Sequence, residues 1–362
     1  MDFALSDDQV ALQGLARQIL TDQVTHARLK ELEAAGGSVF DRALWKRLAD
    51  AGITGIAIPE QYGGAGQGFL ELTLVFEEVG RTVAPVPVVP TLVTAYVLAR
   101  STIDAVTPLL PGVAAGEVIV TTGFGDPADI TAVQDGDEWV LTGEKNFLPY
   151  GAEADLTVVG AVHDGQTVLA LVPKGTPGVS IVEQHTTNHA PQAAVTFSGV
   201  RLDSAHVVRD AGEIYADLTL HHTAALAMVA AGVCEAALQM TAKHTSEREQ
   251  FGKKIASFQA VGQRAADAYI DTELIRLTAL SACWRLAAGW PAQEEVAIAK
   301  FWAGEGGSRV VHACQHLHGG LGVDLDYPLH RYFIWCKQIE HELGTPTREL
   351  LQLGSLLAST PA

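Results

Sequence analysis

The chain has 362 residues, a hydrophobic share of 48%, 18% charged residues and a formal net charge of −18. That length exceeds one ordinary core, and the composition supplies enough apolar surface to exclude a disordered chain. The acidic balance argues against a nucleic-acid partner, since phosphate binding needs a basic face, and any anionic ligand must be held by local positive groups.

The cysteines Cys234, Cys283, Cys314 and Cys336 form no CxxC pair, and MDFALSDDQVALQG at the N-terminus has no basic-then-apolar leader pattern. A reduced, cytoplasmic protein without a metal centre is expected. The apolar stretch Thr223 to Val233 is shorter than the roughly 20 residues of a membrane span and reads as buried helix, so no membrane partner is expected.

From Ser6 a capping residue, with Gln9 three positions on, leads into apolar positions at near-helical spacing. Further helices are predicted over FDRALWKRLADAG, closed by Gly52, over LELTLVFEEVGR, and over the segment after the Pro-rich turn PVPVVP. Near Pro111 the pattern changes to short β-branched runs, EVIVTTGF, DEWVLTGEKNF, DLTVVGAV, TVLALVP, VSIVEQ and AAVTFSGVRL, separated by Gly, Asp and Pro turns. From about Gly212 the 3.6-residue period returns in long Ala- and Leu-rich helices. The expected fold is α+β, mostly α: a helical domain over 1–112, a β-domain over 113–211 and a helical bundle over 212–362.

Four stretches in this order carry more than architecture: AGITGIAIPEQYGGAGQG (Ala51 to Gly68), EWVLTGEKNF (Glu138 to Phe147), SEREQFGKKIASFQAVGQRAAD (Ser246 to Asp267) and QHLHGGLGVDLDYPLHR (Gln315 to Arg331). Together they resemble the acyl-CoA dehydrogenase family. The resemblance implies that family's fold, with a C-terminal four-helix bundle, and bound FAD. It also implies removal of two hydrogens from the α and β carbons of an acyl-CoA thioester, with an electron-transfer flavoprotein as partner. A glutamate takes the α-proton while flavin N5 accepts the β-hydride. A carboxylate is needed because the α-proton is weakly acidic until hydrogen bonds to the carbonyl stabilise the enolate.

In the family register the Glu-Gly-Thr that carries this base falls on Leu343, Gly344 and Thr345. The second family location for the base, on the first helix of the bundle, falls on His222. Neither is a carboxylate. Glu342 is adjacent, but one step on a helical end turns a side chain by about 100°, off the substrate; His222 can in principle act as a base near neutral pH. The segment that lies along the flavin ring corresponds to Phe147, Leu148 and Pro149, where proline offers neither N–H nor hydroxyl. The turn after the first strand is altered to TTGFGDPAD.

The resemblance further implies that FAD lies across a subunit interface, the neighbour gripping its ADP part. Those neighbour-side residues are present: Arg248 for the pyrophosphate, Phe251 for the adenine, Gln250, Phe258 and Gln259 along the same groove, His316 in place of the usual Gln, and Gly319 and Gly320 for close backbone approach; Thr345, in the Leu343 segment, is a further cofactor-binding position that the resemblance implies. The local alternative for Arg248 is an ion pair with Glu247 or Glu249. A kept ADP side and an altered ring side resemble the non-catalytic subunit of the heterotetrameric (α2β2) acyl-CoA dehydrogenases of bacterial steroid side-chain degradation. The expected partner is therefore a catalytic homologue, and the expected substrate a bulky CoA ester. The rival readings are a homotetrameric dehydrogenase or flavin oxidase with a displaced base, His222 or Glu342, and a scaffold that only binds CoA esters.

Overall fold

A computed structural model describes residues 4–101 and 103–359; the outermost residues of the first and last expected domains, 1–3 and 360–362, lie outside it. Helix α1 (Asp7–Gln23) opens on Ser6, whose hydroxyl accepts from the Gln9 N–H while the Gln9 side chain accepts from the Ser6 N–H. Helix α2 (His26–Ala34) follows, without a clear signal in the sequence. In α3 (Arg42–Asp50) the Asp41 carboxylate caps the Ala43 and Leu44 N–H groups, and the chain leaves through Gly52 at φ 77°. Helices α4 (Phe69–Thr82), α5 (Val88–Arg100) and α6 (Leu110–Ala114) complete the helical segment.

Eight strands then form one sheet: β1 (Val120–Gly123), β2 (Ile130–Asp135), β3 (Glu138–Pro149), β4 (Leu156–His163), β5 (Gln166–Pro173), β6 (Val179–Gln184), β7 (Gln192–Asp203) and β8 (Val207–Val208). Their order is β6-β7-β3-β2-β4-β5-β8, with β1 paired to β4. The β1–β4 and β2–β4 pairings are parallel and the others antiparallel. Trp139, Leu141, Leu148, Val159, Phe197 and Leu202 lie in its core. The remaining helices are α7 (Gly212–Glu247), α8 (Gln259–Ala287), α9 (Gln293–His318), α10 (Leu329–His341) and α11 (Pro346–Ser359). A short hairpin, β9 (Glu249–Gln250) and β10 (Lys253–Lys254), stands between α7 and α8.

The stretch Thr223 to Val233, expected to be too short to span a membrane, lies within a helix of 36 residues. By length and composition α7 could cross one, but 78% of its most apolar window is buried in the protein, as in a core helix.

By contacts the chain divides into two compact units. One, with residues 29–72 and 85–222, carries the sheet, α3, α5 and α6; α5 is buried from Val88 to Leu98. The other, with residues 4–28, 73–84 and 223–359, is helical. Within it α4 and α7 cross at two glycines: a Cβ on Gly80 would stand 2.0 Å from the Val229 carbonyl oxygen, and one on Gly232 would stand 1.9 Å from that of Glu77. Beside the crossing two buried carboxylates are fully engaged. Glu77 takes Gln13 and Arg276, each at 3.0 Å, while Glu78 takes Arg17 at 2.7 and 3.0 Å and Arg81 at 3.0 Å. Arg81 reaches on to Glu235 at 2.6 Å. Buried charges of this kind are tolerated only when so paired.

Gly232→Ala tests the crossing. Alanine gains about 1 kcal/mol of helix propensity over glycine, but the overlap with Glu77 forces the helices apart at a cost of about 1–3 kcal/mol or more. A lower denaturation midpoint is expected; a raised one would mean that the helices do not approach this closely.

Candidate functional site

In the sheet-bearing unit, the segment that the resemblance sets along a flavin ring is the end of β3. A register shift between Lys145 and Leu148 bulges the strand, placing Phe147 at φ 56° with 64% of the residue exposed. Its N–H donates to Gln184 Oε1 at 2.8 Å. Leu148 is fully buried, and the Pro149 carbonyl accepts from Thr121 Oγ1 at 2.6 Å.

The altered turn after β1 is likewise tied down. Tyr215 O–H is shared between the carbonyls of Gly125 at 3.0 Å and Gly123 at 3.2 Å. The buried ammonium of Lys145 holds the Asp126 carbonyl and, at 2.8 Å, the Asp129 carboxylate. The Phe124 ring lies edge-on to His222, with centroids 4.6 Å apart. Thr94 and Thr122 join their hydroxyls at 2.8 Å. Every hydroxyl in this group has a partner inside the unit.

His222 belongs to the same cluster. It is 3% exposed, its Nδ1–H donates to the Leu218 carbonyl at 2.8 Å, and its Nε2 meets the Thr94 hydroxyl at 3.4 Å. Burial pushes its pKa down to about 4. It is therefore a neutral ring with both nitrogens engaged, poorly disposed to pick up a substrate proton.

In the helical unit the ADP-side candidates behave in the opposite way. The turn between β9 and β10 consists of Phe251 at φ 54° and Gly252 at φ 76°, the two left-handed residues of a type I′ turn. It thrusts Phe251 into solvent, 91% exposed, and the ring rests edge-to-face on Phe258 at 6.2 Å. Lys253 stands 4.3 Å over that second ring. Lys254 pairs with the Glu249 carboxylate at 2.8 Å and bonds the Glu247 carbonyl at 3.0 Å. The local ion pair considered for Arg248 is thus not formed: among the described residues its guanidinium has no hydrogen-bond or ion-pair partner, and the residue is exposed. Gln250 Nε2 bonds only the neighbouring Glu249 carbonyl, at 2.7 Å, and Gln259 opens α8 exposed.

His316, Gly319 and Gly320 are exposed at the end of α9. Gly319 has φ 62° and ψ −138°, a conformation reserved for glycine, and a Cβ on either glycine would meet open space. His244 of α7 stacks on His318 of α9 with centroids 4.4 Å apart. The helix ends that lead into the Arg248 hairpin and the Gly319–Gly320 turn are thereby brought side by side. Together these groups offer a free guanidinium, an exposed aromatic face and a bare backbone turn, a donor set that fits a dinucleotide's pyrophosphate and adenine.

The third segment follows α10. Leu343 lies at φ 59°, and the Thr345 hydroxyl and carbonyl accept from the Arg348 and Glu349 N–H groups at 3.4 and 3.0 Å. The neighbouring Glu342 is bonded to Gln338, and burial pushes its carboxyl upward while the charge of Lys300 opposes this. Sequence reasoning singled out His222, Leu343 and the ADP-side residues. It passed over Thr94, Tyr215 and Lys145, which hold the ring-side segments, although a lysine inside a strand was a visible signal.

Three family profiles match the chain: acyl-CoA dehydrogenase N-terminal domain over residues 6–117, middle domain over 121–202 and C-terminal domain over 211–354. Acyl-CoA dehydrogenase FadE27 of Mycobacterium tuberculosis is 38% identical over the whole of both chains. FadE28 of the same organism is 32% identical, over 89% of this chain and 95% of its own. Among solved structures, a chain of the ChsE4-ChsE5 complex from Mycobacterium tuberculosis superposes with a TM-score of 0.94 at 38% identity, over 100% of both chains. One from a variant of the Tcur3481-Tcur3483 steroid ACAD gives 0.91 at 41% identity, over 97% of this chain and 98% of that one.

The state of His222 has a pH signature. Below the ordinary value of 6.5 the unfolded chain takes up a proton that the folded chain refuses until about pH 4. Stability contributed by the neutral ring is complete above 6.5 and is lost as pH falls to 4, by on the order of 3 kcal/mol. Comparing urea midpoints of wild type and His222→Gln across that window should show the shallower slope in the variant.

Proposed function

The chain belongs to the acyl-CoA dehydrogenase family, and on that premise we propose that it is the non-catalytic subunit of an FAD-dependent acyl-CoA dehydrogenase, paired two and two with a catalytic homologue whose cofactor site it completes. One contrast carries this reading. Thr94, Thr121, Thr122, Tyr215 and Lys145 on the ring side are engaged by bonds within the chain, whereas the Arg248 guanidinium has no hydrogen-bond or ion-pair partner among the described residues and Phe251 and the Gly319–Gly320 turn are presented to solvent. A guanidinium so placed is suited to a pyrophosphate reached from another subunit.

FAD, when bound, supplies the hydride acceptor for α,β-dehydrogenation. This chain's part is to hold its ADP half. Arg248 neutralises pyrophosphate charge, Phe251 packs on the adenine over the support of Phe258, Gln250, Gln259 and His316 line the groove, and Thr345 adds a hydroxyl. The α-proton is left to the partner, because Leu343 has no basic atom and His222 is buried and neutral. Support for a bulky, steroid-derived CoA ester comes from the likeness to a complex described as a steroid ACAD. Support for a mixed oligomer comes from the likeness to the two-component ChsE4-ChsE5 complex. An electron-transfer flavoprotein is the natural acceptor for the reduced flavin, and the four free, buried thiols suit a reducing cytoplasm.

Two measurements bear on this. Purified alone, the chain should carry little flavin; co-expressed with a catalytic homologue it should give a tetramer with two FAD. A stoichiometrically yellow homotetramer that turns over an acyl-CoA would sink the proposal. Within the complex, Arg248→Ala should weaken FAD by about 1.5–3 kcal/mol, roughly 10- to 150-fold in Kd, and Lys should restore only part of it. Equilibrium dialysis of flavin reads this directly, and unchanged retention would count against a shared site.

A further inference from the structure

Lys300 interrupts the apolar run VAIAKFWAG on α9 and is fully buried. An ammonium has three donors. Here all three converge on one place: the carbonyls of Ile339 at 2.8 Å, Glu340 at 3.3 Å and Gly344 at 2.5 Å. The first two belong to the last turn of α10, where carbonyls lack intrahelical partners. The third lies in the loop that carries Leu343. That loop is closely confined. A Cβ on Gly344, at φ 145°, would stand 2.0 Å from Glu349 Oε1, and one on Gly304 of α9 would stand 2.7 Å from Pro346 Cγ.

We infer that Lys300 is a positioning residue: by joining the end of α10 to the Gly344 carbonyl it fixes the Glu342–Thr345 loop, and through it sets Thr345 for the cofactor. The cofactor half of this inference rests on the shared-site reading above; the clamp itself does not. Lysine suits the role because a compact ammonium can serve three carbonyls that converge from different directions, which a planar guanidinium or an uncharged side chain cannot.

The groups facing Lys300 are Glu340 and Cys336 from α10, Glu342 from the loop and Glu349 from α11. The carboxyl groups among them favour the ammonium, but burial outweighs them and lowers its pKa to about 8. As pH rises through 8 the amine keeps two donors for three carbonyls, and the loop loses one hold. Global stability moves the other way. The unfolded chain keeps its proton up to 10.5, so between 8 and 10.5 neutralising the buried amine favours the folded state. Loosening of the loop while the whole chain grows more stable is a signature that a merely structural lysine would not give.

The test is hydrogen exchange on the full chain in its purified complex, read at the Arg348 and Glu349 amides that donate to Thr345. Protection at these sites should fall about tenfold in Lys300→Met at pH 7, with mid-helix amides of α9 unchanged. In wild type it should fall toward the variant's level between pH 7 and 9, while the variant stays flat. Equal protection in the two proteins would overturn the clamp, and a wild-type profile flat across the alkaline range would overturn its dependence on the charged amine. If Lys300→Met fails to fold, Lys300→Gln, which keeps a donor at the site but cannot serve all three carbonyls, is read in its place. Flavin retention in the complex reads the other half: it should drop with Lys300→Met, and a loosened loop with full flavin would overturn the assignment of Thr345. If flavin responds to Lys300→Met but not to Arg248→Ala, the shared-site reading fails and the clamp stands.

Discussion

A polar group carried into the protein interior is costly unless it finds a partner there, and helix α7 places that demand on the fold over 36 residues, leaving it unmet among the described residues at the buried Nε2 of His221. Tyr215 meets it at the carbonyls of Gly123 and Gly125. His222 meets it at the Leu218 carbonyl and the Thr94 hydroxyl. Thr241 and Thr245 bond back into the helix at Ala237 and Thr241, and Glu235 takes Arg81. These obligations decide how the turn after β1, helix α5 and the α4–α7 crossing are placed in their respective units. They also decide which groups are left for anything else.

What is left is uneven, and that unevenness is chemical information. Around the ring-side segments the hydroxyls of Thr94, Thr121 and Thr122, the ring of His222 and the ammonium of Lys145 are all taken. A cofactor ring arriving there would have to displace bonds already made. At the ends of α7 and α9 nothing needs displacing. Lys254 draws the Glu247 carbonyl and the Glu249 carboxylate to itself, so the guanidinium between them stays unpaired. An exposed arginine is well solvated and loses little by being free; it gains when a phosphate replaces that water in a drier interface. The Glu249–Lys254 pair therefore matters chiefly for what it keeps away from Arg248, since an exposed ion pair stabilises a fold by little.

The helical and strand segments were legible because their signals are local. Ser6 and Gln9 form the reciprocal cap that their spacing announces, and each of the six β-branched runs became a strand. Helix α2 escaped notice because His26–Ala34 is mostly polar and buries only Leu29, so little periodicity shows. Strand β2 was missed for a similar reason: ITAVQD buries only Ile130 and Ala132. At the candidate site, the identity of residue 343 could be read from register alone. The neutrality of His222 could not, because its cause is burial among Thr94, Phe124 and Leu218, which are far apart in the chain. Lys300 was visible as a charge in an apolar helix, yet its three acceptors lie about 40 residues on and only the fold brings them together.

Three bulky residues sit in the left-handed region at the three segments that matter here: Phe147 at φ 56°, Phe251 at φ 54° and Leu343 at φ 59°. Each conformation costs roughly 1–2 kcal/mol for a residue with a side chain, so each needs support from its surroundings. The support is separate in each case. The Gln184 side chain takes the Phe147 N–H, the β9–β10 hairpin imposes the Phe251 turn, and Lys300 holds the carbonyl next to Leu343. None of these supports involves the side chain of the strained residue. A glutamate at position 343 would bear the same backbone cost as the leucine does, so backbone strain gives no reason for one over the other. The side chain at position 343 and the fold of the loop are therefore separable: the hold on the Gly344 carbonyl, and with it the placement of Thr345, does not depend on which side chain stands at 343.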